Sequence, residues 1–253
     1  MKKIIGFFIA LVMLSCVYGQ SKLPVPVQKL FSQLVYVQGG DFLYQKFYLD
    51  NVGEQGQQTK VRDLLVAKYE VNRELYEFVT GEKKERWDFY ENKPEDLTKP
   101  ANGISWYEAV EFCNKLSEIS GLKKCYKIDG TNVSFDENAD GFRLPTDIEW
   151  EYFGTGGAKS KGGAYVGNSN FLDDVANCSG RLAQCGLKKP NELGLYDLAG
   201  NVWEWCWDGD EKMRHVRGGS YGTNARASYT NANPVAEATT KADDFGFRVV
   251  KNK

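Results

Sequence analysis

The clearest pattern of apolar positions predicts an amphipathic helix in the middle of the chain. Four apolar residues from Ala109 to Leu116 fall at i, i+3, i+4 and i+7, so they share one helix face. The helix begins at a capping box, Ser105-Trp-Tyr-Glu108, in which a hydroxyl and a glutamate satisfy each other's backbone N–H groups. Gly121 supplies a left-handed exit residue. The pattern predicts a helix of about 15 residues.

Two further segments carry helix signals. Thr146-Asp-Ile-Glu149 repeats the capping box and opens a helix that reaches Gly154. Asn72 can cap a shorter helix that stops before Gly81. Two main helices are therefore expected, at Ser105 and at Thr146, with a short one before them.

Alternating or short apolar runs predict strands elsewhere. Residues 34–43 read as a strand pair around Gly39-Gly40, and residues 61–67 as another strand, after a loop over 51–60. Trp203-Glu-Trp-Cys-Trp207 places three indoles on one side of a strand. A long glycine-rich loop is predicted over residues 154–191. Short strands, two main helices and long loops indicate an α+β domain.

The charge of the chain argues against binding to nucleic acid. The chain has 253 residues and a formal charge of -2, with its basic residues spread along the sequence. No basic stripe of the kind that nucleic acid requires is present, so we expect no nucleic-acid partner.

The first residues read as an export signal. Lys2 and Lys3 precede an apolar run that is too short for the roughly 20 residues of a membrane-spanning helix. Cleavage after Gly19 would secrete the protein. Cleavage before Cys16, in a lipobox-like segment, would lipidate that cysteine and leave a cell-surface or outer-membrane lipoprotein. We favour lipidation, with residues 1–19 as signal peptide, residues 20–30 as a tether, and contact with a membrane only through the lipid.

Five cysteines remain beyond Cys16. Cys178 and Cys185 could form a short-loop disulfide, and the alternative is that all five are buried thiols that pack as small hydrophobes. None has C-x-x-C spacing, and His215 is the one histidine of the chain, so the usual ligand set of a zinc site is lacking.

Eight sequence blocks occur in order along the chain. They are Val35-Tyr-Val-Gln-Gly-Gly-Asp-Phe42, Lys68-Tyr-Glu-Val71, Ile104-Ser-Trp106, Phe112-Cys-Asn-Lys-Leu-Ser117, Phe142-Arg-Leu-Pro-Thr-Asp-Ile-Glu-Trp-Glu-Tyr152, Gly194-Leu-Tyr-Asp-Leu-Ala-Gly-Asn-Val-Trp-Glu-Trp205, Arg217-Gly-Gly-Ser220 and Gly246-Phe-Arg248. Together these blocks resemble the formylglycine-generating-enzyme (sulfatase-modifying factor) domain. The resemblance covers roughly residues 31–250, so a single domain over residues 31–253 is expected. The fold that this resemblance implies is the C-type lectin fold of the formylglycine-generating-enzyme type.

The chemistry of that family is not supported by the residues present. Its formylglycine-forming branch uses a cysteine pair between the Gly-Gly-Ser and Gly-Phe-Arg blocks, and residues 207–253 contain no cysteine. Its iron-dependent sulfoxide synthases need three histidines, and His215 alone cannot supply them. We therefore expect no enzymatic activity and no required cofactor.

Residues 214–245 are similar to the variable region of diversity-generating retroelement proteins. Only Glu237 and Lys241 lie outside the residues that adenine changes can produce from an AAC codon. Tyrosine with small polar residues suits a recognition surface, as in antibody loops. The alternative is an ordinary polar loop of skewed composition. The candidate ligand-binding residues are Tyr221, Thr223, Asn224, Tyr229, Asn231, Asn233, Asp243 and Asp244.

The resemblance also implies a structural calcium site. Residues 195–204 match the family's calcium loop, which assigns the carboxylates of Asp197 and Glu204 and the carbonyls of Gly200 and Val202 as ligands. The alternative is that both carboxylates accept hydrogen bonds from loop amides.

Three functional hypotheses follow, in order of preference. The first is a displayed or secreted module that binds a protein or glycan ligand through the variable segment. The second is a divergent enzyme of the formylglycine-generating class that uses other residues, such as Cys206 or Tyr221. The third is a structural envelope protein with no specific ligand.

Overall fold

The computed structural model describes residues 22–44, 56–83, 96–161, 171–223, 232 and 234–253. Cys16 and the predicted signal peptide lie outside these ranges. Within the described residues, no helix combines the length and the apolar character needed to cross a membrane.

Helix ends follow the capping residues that the sequence supplies. Ser105 Oγ accepts a hydrogen bond from the Glu108 N–H at 3.3 Å, and Glu108 Oε2 accepts one from the Ser105 N–H at 2.9 Å. Thr146 and Glu149 form the second predicted box. Both boxes are confirmed, and the described residues form three further α-helices besides the two main ones. The helices are α1 Val25–Ser32, α2 Arg73–Thr80, α3 Trp106–Ile119, α4 Asp147–Gly154 and α5 Leu172–Val175.

Helix α1 corrects the predicted tether over residues 20–30. Its side chains Val27 and Leu30 are buried in the main core, beside Leu75 of α2. Because apolar contact of this kind stabilises the helix, residues 25–30 belong to the domain. Pro24 is the N-cap residue of α1, and the half-buried Gln28 donates through Nε2 to the Leu23 carbonyl at 2.6 Å.

One four-stranded antiparallel sheet joins the two ends of the domain in the order β1-β4-β14-β7. Val66 of β4 lies opposite Val35 on one side and Val250 on the other. The last strand is thereby held between two internal ones. These strands are β1 Leu34–Val37, β4 Leu64–Ala67, β7 Phe142–Arg143 and β14 Val250–Asn252.

A second four-stranded sheet has the order β12-β11-β10-β13 and carries the predicted variable segment. Strands β10 and β11 are antiparallel, whereas β13 runs parallel to β10. Three two-stranded pairs complete the fold: β2 with β3, β5 with β6, and β8 with β9. The remaining bounds are β2 Gly40–Tyr44, β3 Gln57–Val61, β5 Tyr126–Asp129, β6 Asn132–Phe135, β8 Ala176–Asn177, β9 Ala199–Gly200, β10 Trp203–Gly209, β11 Met213–Arg217, β12 Val235–Glu237 and β13 Phe245–Gly246.

Two strand predictions were wrong in their pairing or bounds. The segment 34–43 is not a hairpin, because β1 pairs with β4 whereas β2 pairs with β3. A Cβ at Gly39 would lie 2.3 Å from Val61 O, so this glycine permits a close backbone approach between segments. The loop predicted over 51–60 is also too long, since β3 already begins at Gln57.

Strand β10 separates two hydrophobic cores. Trp203, Trp205 and Trp207 contact the larger core, as their alternation predicted, whereas Cys206 belongs to the smaller one. Glu204 points to the same side as Cys206 and is fully buried. A buried carboxylate needs partners, and these partners build the candidate site.

Candidate functional site

Arg217, at the end of β11, anchors the start of the predicted variable segment. Its guanidinium is fully buried and contacts the carboxylates of Asp147 and Glu151, the latter at 3.1 Å. Its Nη1 donates to the Ala232 carbonyl at 3.1 Å. Burial opposes the charged form, but the two carboxylates outweigh it and raise the pKa of Arg217. The segment is thus fixed to α4 by a buried ion-pair network.

The two ends of the segment meet at Ser220 and Asp244. Ser220 Oγ donates to Asp244 Oδ2 at 2.7 Å, and the Asp244 carbonyl accepts the Trp203 N–H at 2.8 Å. Asn102 Nδ2 donates to the Asp243 carbonyl at 2.9 Å. The Gly-Gly-Ser and Gly-Phe-Arg blocks therefore form one frame, and the chain between them leaves and returns at neighbouring points.

Four of the eight candidate ligand-binding residues are described. Thr223 Oγ1 bonds back to Ser220, accepting from its N–H at 2.8 Å and donating to its carbonyl at 2.9 Å. The backbone of Tyr221 bonds to Asn201 and Gly180, and its side chain is half-buried. Asp243 is exposed. The side chains of Thr223 and Asp244 thus hold the frame together.

The other four candidates, Asn224, Tyr229, Asn231 and Asn233, lie outside the described residues. A ligand-binding role for the eight residues stays a prediction.

The predicted calcium loop follows an unusual backbone path. Asp197 and Asn201 both have positive φ, at 57° and 62°. Gly200 lies between them at φ 78°, where a Cβ would come within 2.2 Å of Asn177 O. Asn201 Oδ1 accepts from Ala183 N at 3.1 Å, which ties the loop to the preceding segment.

Glu204 is fully engaged by protein groups. Arg248 Nη2 donates to its Oε1 at 2.7 Å, Arg248 Nε contacts both oxygens, and Trp150 Nε1 donates to Oε2 at 2.7 Å. The Asp197 carboxylate instead accepts from the Gly186 N–H at 2.6 Å. Of the two predicted calcium carboxylates, Asp197 fits a cation better than Glu204. Calcium binding stays a prediction.

Two residues that sequence reasoning did not assign lie beside Asp197. Glu70 accepts from Asn201 Nδ2 at 2.7 Å and from Val202 N at 3.2 Å, and Cys185 Sγ donates to Glu70 at 3.6 Å. Burial, together with the charges of Asp197 and Glu204, raises the pKa of Glu70 well above its usual range. Burial likewise raises the pKa of Asp197 to about 6. Glu70 occurs in one of the eight blocks, but only the fold shows its neighbours.

Three of the five described cysteines are buried, and the other two are partly buried. Cys113, Cys125 and Cys206 are buried, and Cys178 and Cys185 are not joined as a disulfide. Burial, followed by the charge of Asp147, raises the pKa of Cys206 well above that of a free thiol. Because the thiolate is the reactive form, Cys206 does not suit the catalytic role of the second hypothesis.

The chain is similar to a known protein family and to individual proteins. The family described as "Sulfatase-modifying factor enzyme 1-like domain" matches residues 20–253. The chain is 30% identical to "Chaperone protein LppX" of Paenibacillus barcinonensis, over 87% of this chain and 89% of that protein. It is also 30% identical to "Inactive C-alpha-formylglycine-generating enzyme 2" of Bos taurus, over 70% of this chain and 73% of that protein.

A solved structure is similar as well. "Treponema denticola variable protein 1" superposes with a TM-score of 0.76 at 25% identity, covering 87% of this chain and 95% of that one. The predicted α+β fold of the formylglycine-generating-enzyme type is confirmed, and so is the similarity to a variable protein.

Proposed function

The chain belongs to the family of the sulfatase-modifying factor enzyme 1-like domain, and from this premise we propose that it is an exported, non-catalytic protein that binds a ligand through residues 214–245. The observation that carries the proposal is the contact of Ser220 with Asp244. It brings the two ends of the intervening segment together on a frame that includes the buried Ser220 and Arg217, in the place where the family's thiol chemistry is expected.

Loss of catalysis is supported by the atoms present. No cysteine follows Cys206 in the sequence, and Cys206 is completely buried. The resemblance to a relative whose name includes "inactive" is in accord with this.

Ligand binding is supported by the difference between side chains that bond within the frame and those that face solvent. The side chains of Arg217, Ser220 and Asp244 are held by bonds within the frame, whereas the side chain of Asp243 is exposed. Tyrosine offers a large contact area at low entropic cost, and Asn, Ser and Thr offer adaptable hydrogen bonds. Recognition by loops on a rigid scaffold is the common arrangement.

We propose that the ligand is a protein and that this chain binds it at the cell surface. The relative named as a chaperone supports a protein partner rather than a glycan. The signal segment supports export, with Cys16 as the lipid-bearing residue.

The first test compares DNA from many isolates. Adenine-directed diversification predicts that codons 214–245 vary far more than codons 142–152, and that a nearby repeat differs from them at adenines. Equal variation in the two windows would contradict the proposal.

The second test exchanges residues 221–243 between two natural variants. Ligand capture by the displayed protein should follow the loop, and the same exchange of residues 130–140 is the control. A glycan array with both variants would reveal the alternative class of ligand. A copper-supplemented assay on a cysteine-containing sulfatase peptide should show no turnover, and turnover would favour the divergent enzyme.

A further inference from the structure

Three side chains from distant parts of the chain converge beside the predicted calcium loop. Glu70 follows β4, Cys185 lies in the segment after β8, and Asp197 lies just before β9. One ligand atom from each lies within 4.8 Å of the other two. Glu70 and Asp197 are buried, and Cys185 is partly buried.

The cluster brings two buried carboxylates together. Arg248 is the cation whose charge acts on Glu70 and Asp197. Its Nε and Nη2 already pair with Glu204. Its remaining Nη1 donates to the Ala67 carbonyl at 2.9 Å. Among the described residues, no hydrogen bond or ion pair therefore joins Glu70 or Asp197 to a cationic side chain. Buried carboxylates in that position are costly unless paired, protonated or bound to a metal.

We propose that Glu70, Cys185 and Asp197 bind a thiophilic divalent cation of the zinc class. Zinc accepts Cys sulfur together with Asp or Glu oxygen, commonly in tetrahedral sites with ligand bonds of about 2.0–2.3 Å. On binding, the Cys185 S–H proton passes to solvent and the sulfur binds the metal, with no change of oxidation state. Two carboxylates and one thiolate then surround the ion, and a water completes the set.

The donor set distinguishes this site from the calcium site that the family implies. Calcium prefers oxygen ligands, whereas thiolate sulfur favours softer ions. Glu204 belongs to the predicted calcium set but not to this one, because Arg248 and Trp150 occupy its oxygens.

A path for the ion is present. A cavity of about 210 Å³ is lined by Glu70 and Cys185, together with Lys68, Tyr69 and Thr98. It lies between α1, α2 and the Cys185 loop. The cavity therefore gives access to two of the three proposed ligands, Glu70 and Cys185.

The test uses the full mature chain with Zn²⁺, Co²⁺ or Ca²⁺ added to chelator-treated protein. We expect one Zn²⁺ per chain, a higher Tm, and a thiolate-to-cobalt absorption band with Co²⁺. Cys185→Ser should lose the band and most of the Tm shift. Cys178→Ser, which alters another thiol of the same region, should keep both. Protection of the Cys185 thiol from a thiol reagent by Zn²⁺ gives a readout in the unmodified protein.

Three results would overturn the proposal. They are the absence of Zn²⁺ binding, an unchanged response in Cys185→Ser, and tight Ca²⁺ binding that Glu204→Gln abolishes and Cys185→Ser does not. Loop-dependent ligand capture does not enter any of these measurements, so the proposed function can fail or hold independently.

Discussion

Glu204 and Arg248 are both fully buried and contact each other through Oε1 and Nη2 at 2.7 Å. This ion pair joins the Trp-Glu-Trp strand β10 to the segment that leads into the last strand. Trp150 Nε1 and two backbone carbonyls satisfy the remaining groups of the pair. The pair therefore fixes the relative position of α4, β10 and the C-terminal segment.

Removal of one partner should strongly destabilise the fold. Arg248→Met leaves Glu204 as an unpaired buried carboxylate, and we expect a loss of about 3–5 kcal/mol in the free energy of unfolding. The double variant with Glu204→Gln should lose less than the sum of the two single changes. Urea denaturation measures both. Lys189→Met, which breaks an exposed ion pair with Asp174, is the control, with an expected change below about 1 kcal/mol. Additive losses would contradict a direct coupling.

The Ser220–Asp244 contact should control the order of the variable loop. Asp244→Asn keeps an acceptor for Ser220 Oγ but removes the charge that strengthens this hydrogen bond, and we expect a loss of about 1 kcal/mol in the free energy of unfolding. Faster hydrogen exchange at the Ser220 and Thr223 amides should accompany it. Asp243→Asn is the matched control, because Asp243 is exposed and the frame uses its carbonyl. If Asp243→Asn has the larger effect on exchange, the frame has been misassigned.

The Arg143–Glu149 pair should make stability depend on acid pH. Arg143 Nη1 and Nη2 donate to the two Glu149 oxygens at 2.6 and 2.8 Å. Burial alone would raise the pKa of Glu149, but the Arg143 charge and the bonds from Arg143 and Thr146 lower it overall.

The sign follows from the lowered pKa. Stability from this group is complete above the unfolded carboxyl pKa of about 4.3 and is lost as pH falls through the lower folded value. The difference in unfolding free energy between the wild type and Glu149→Gln should therefore shrink as pH falls from 6 to below 4. Urea denaturation across this range measures it. A difference that is constant with pH would mean that Glu149 acts through packing alone.

Local features of the fold were predictable from the sequence, and contacts between distant segments were not. The capping boxes at Ser105 and Thr146 involve residues three apart, so the chain itself specifies them. The placement of β14 between β4 and β7 depends on tertiary packing. The same holds for the site: Asp197 was identified from its block, whereas Glu70 and Cys185 join it only because the fold brings their segments together.

Gly200 should be intolerant of any side chain. It has φ 78°, and a Cβ there would lie 2.2 Å from the carbonyl oxygen of Asn177 and 2.8 Å from its nitrogen. The backbone of β8 cannot move aside by a change of rotamer, because β8 pairs with β9 at this point. Gly200→Ala should therefore cost about 2 kcal/mol or more in the free energy of unfolding, the sum of left-handed strain and a backbone clash. Gly222→Ala is the control, since the nearest neighbour of its Cβ would be Ser220 Oγ at 3.8 Å.

The same variant should affect the proposed metal site. Because Gly200 lies between Asp197 and Asn201, Gly200→Ala should also weaken metal binding by Glu70, Cys185 and Asp197, whereas Gly222→Ala should not. Equal urea midpoints for the two variants would show that the loop path is not fixed by Gly200.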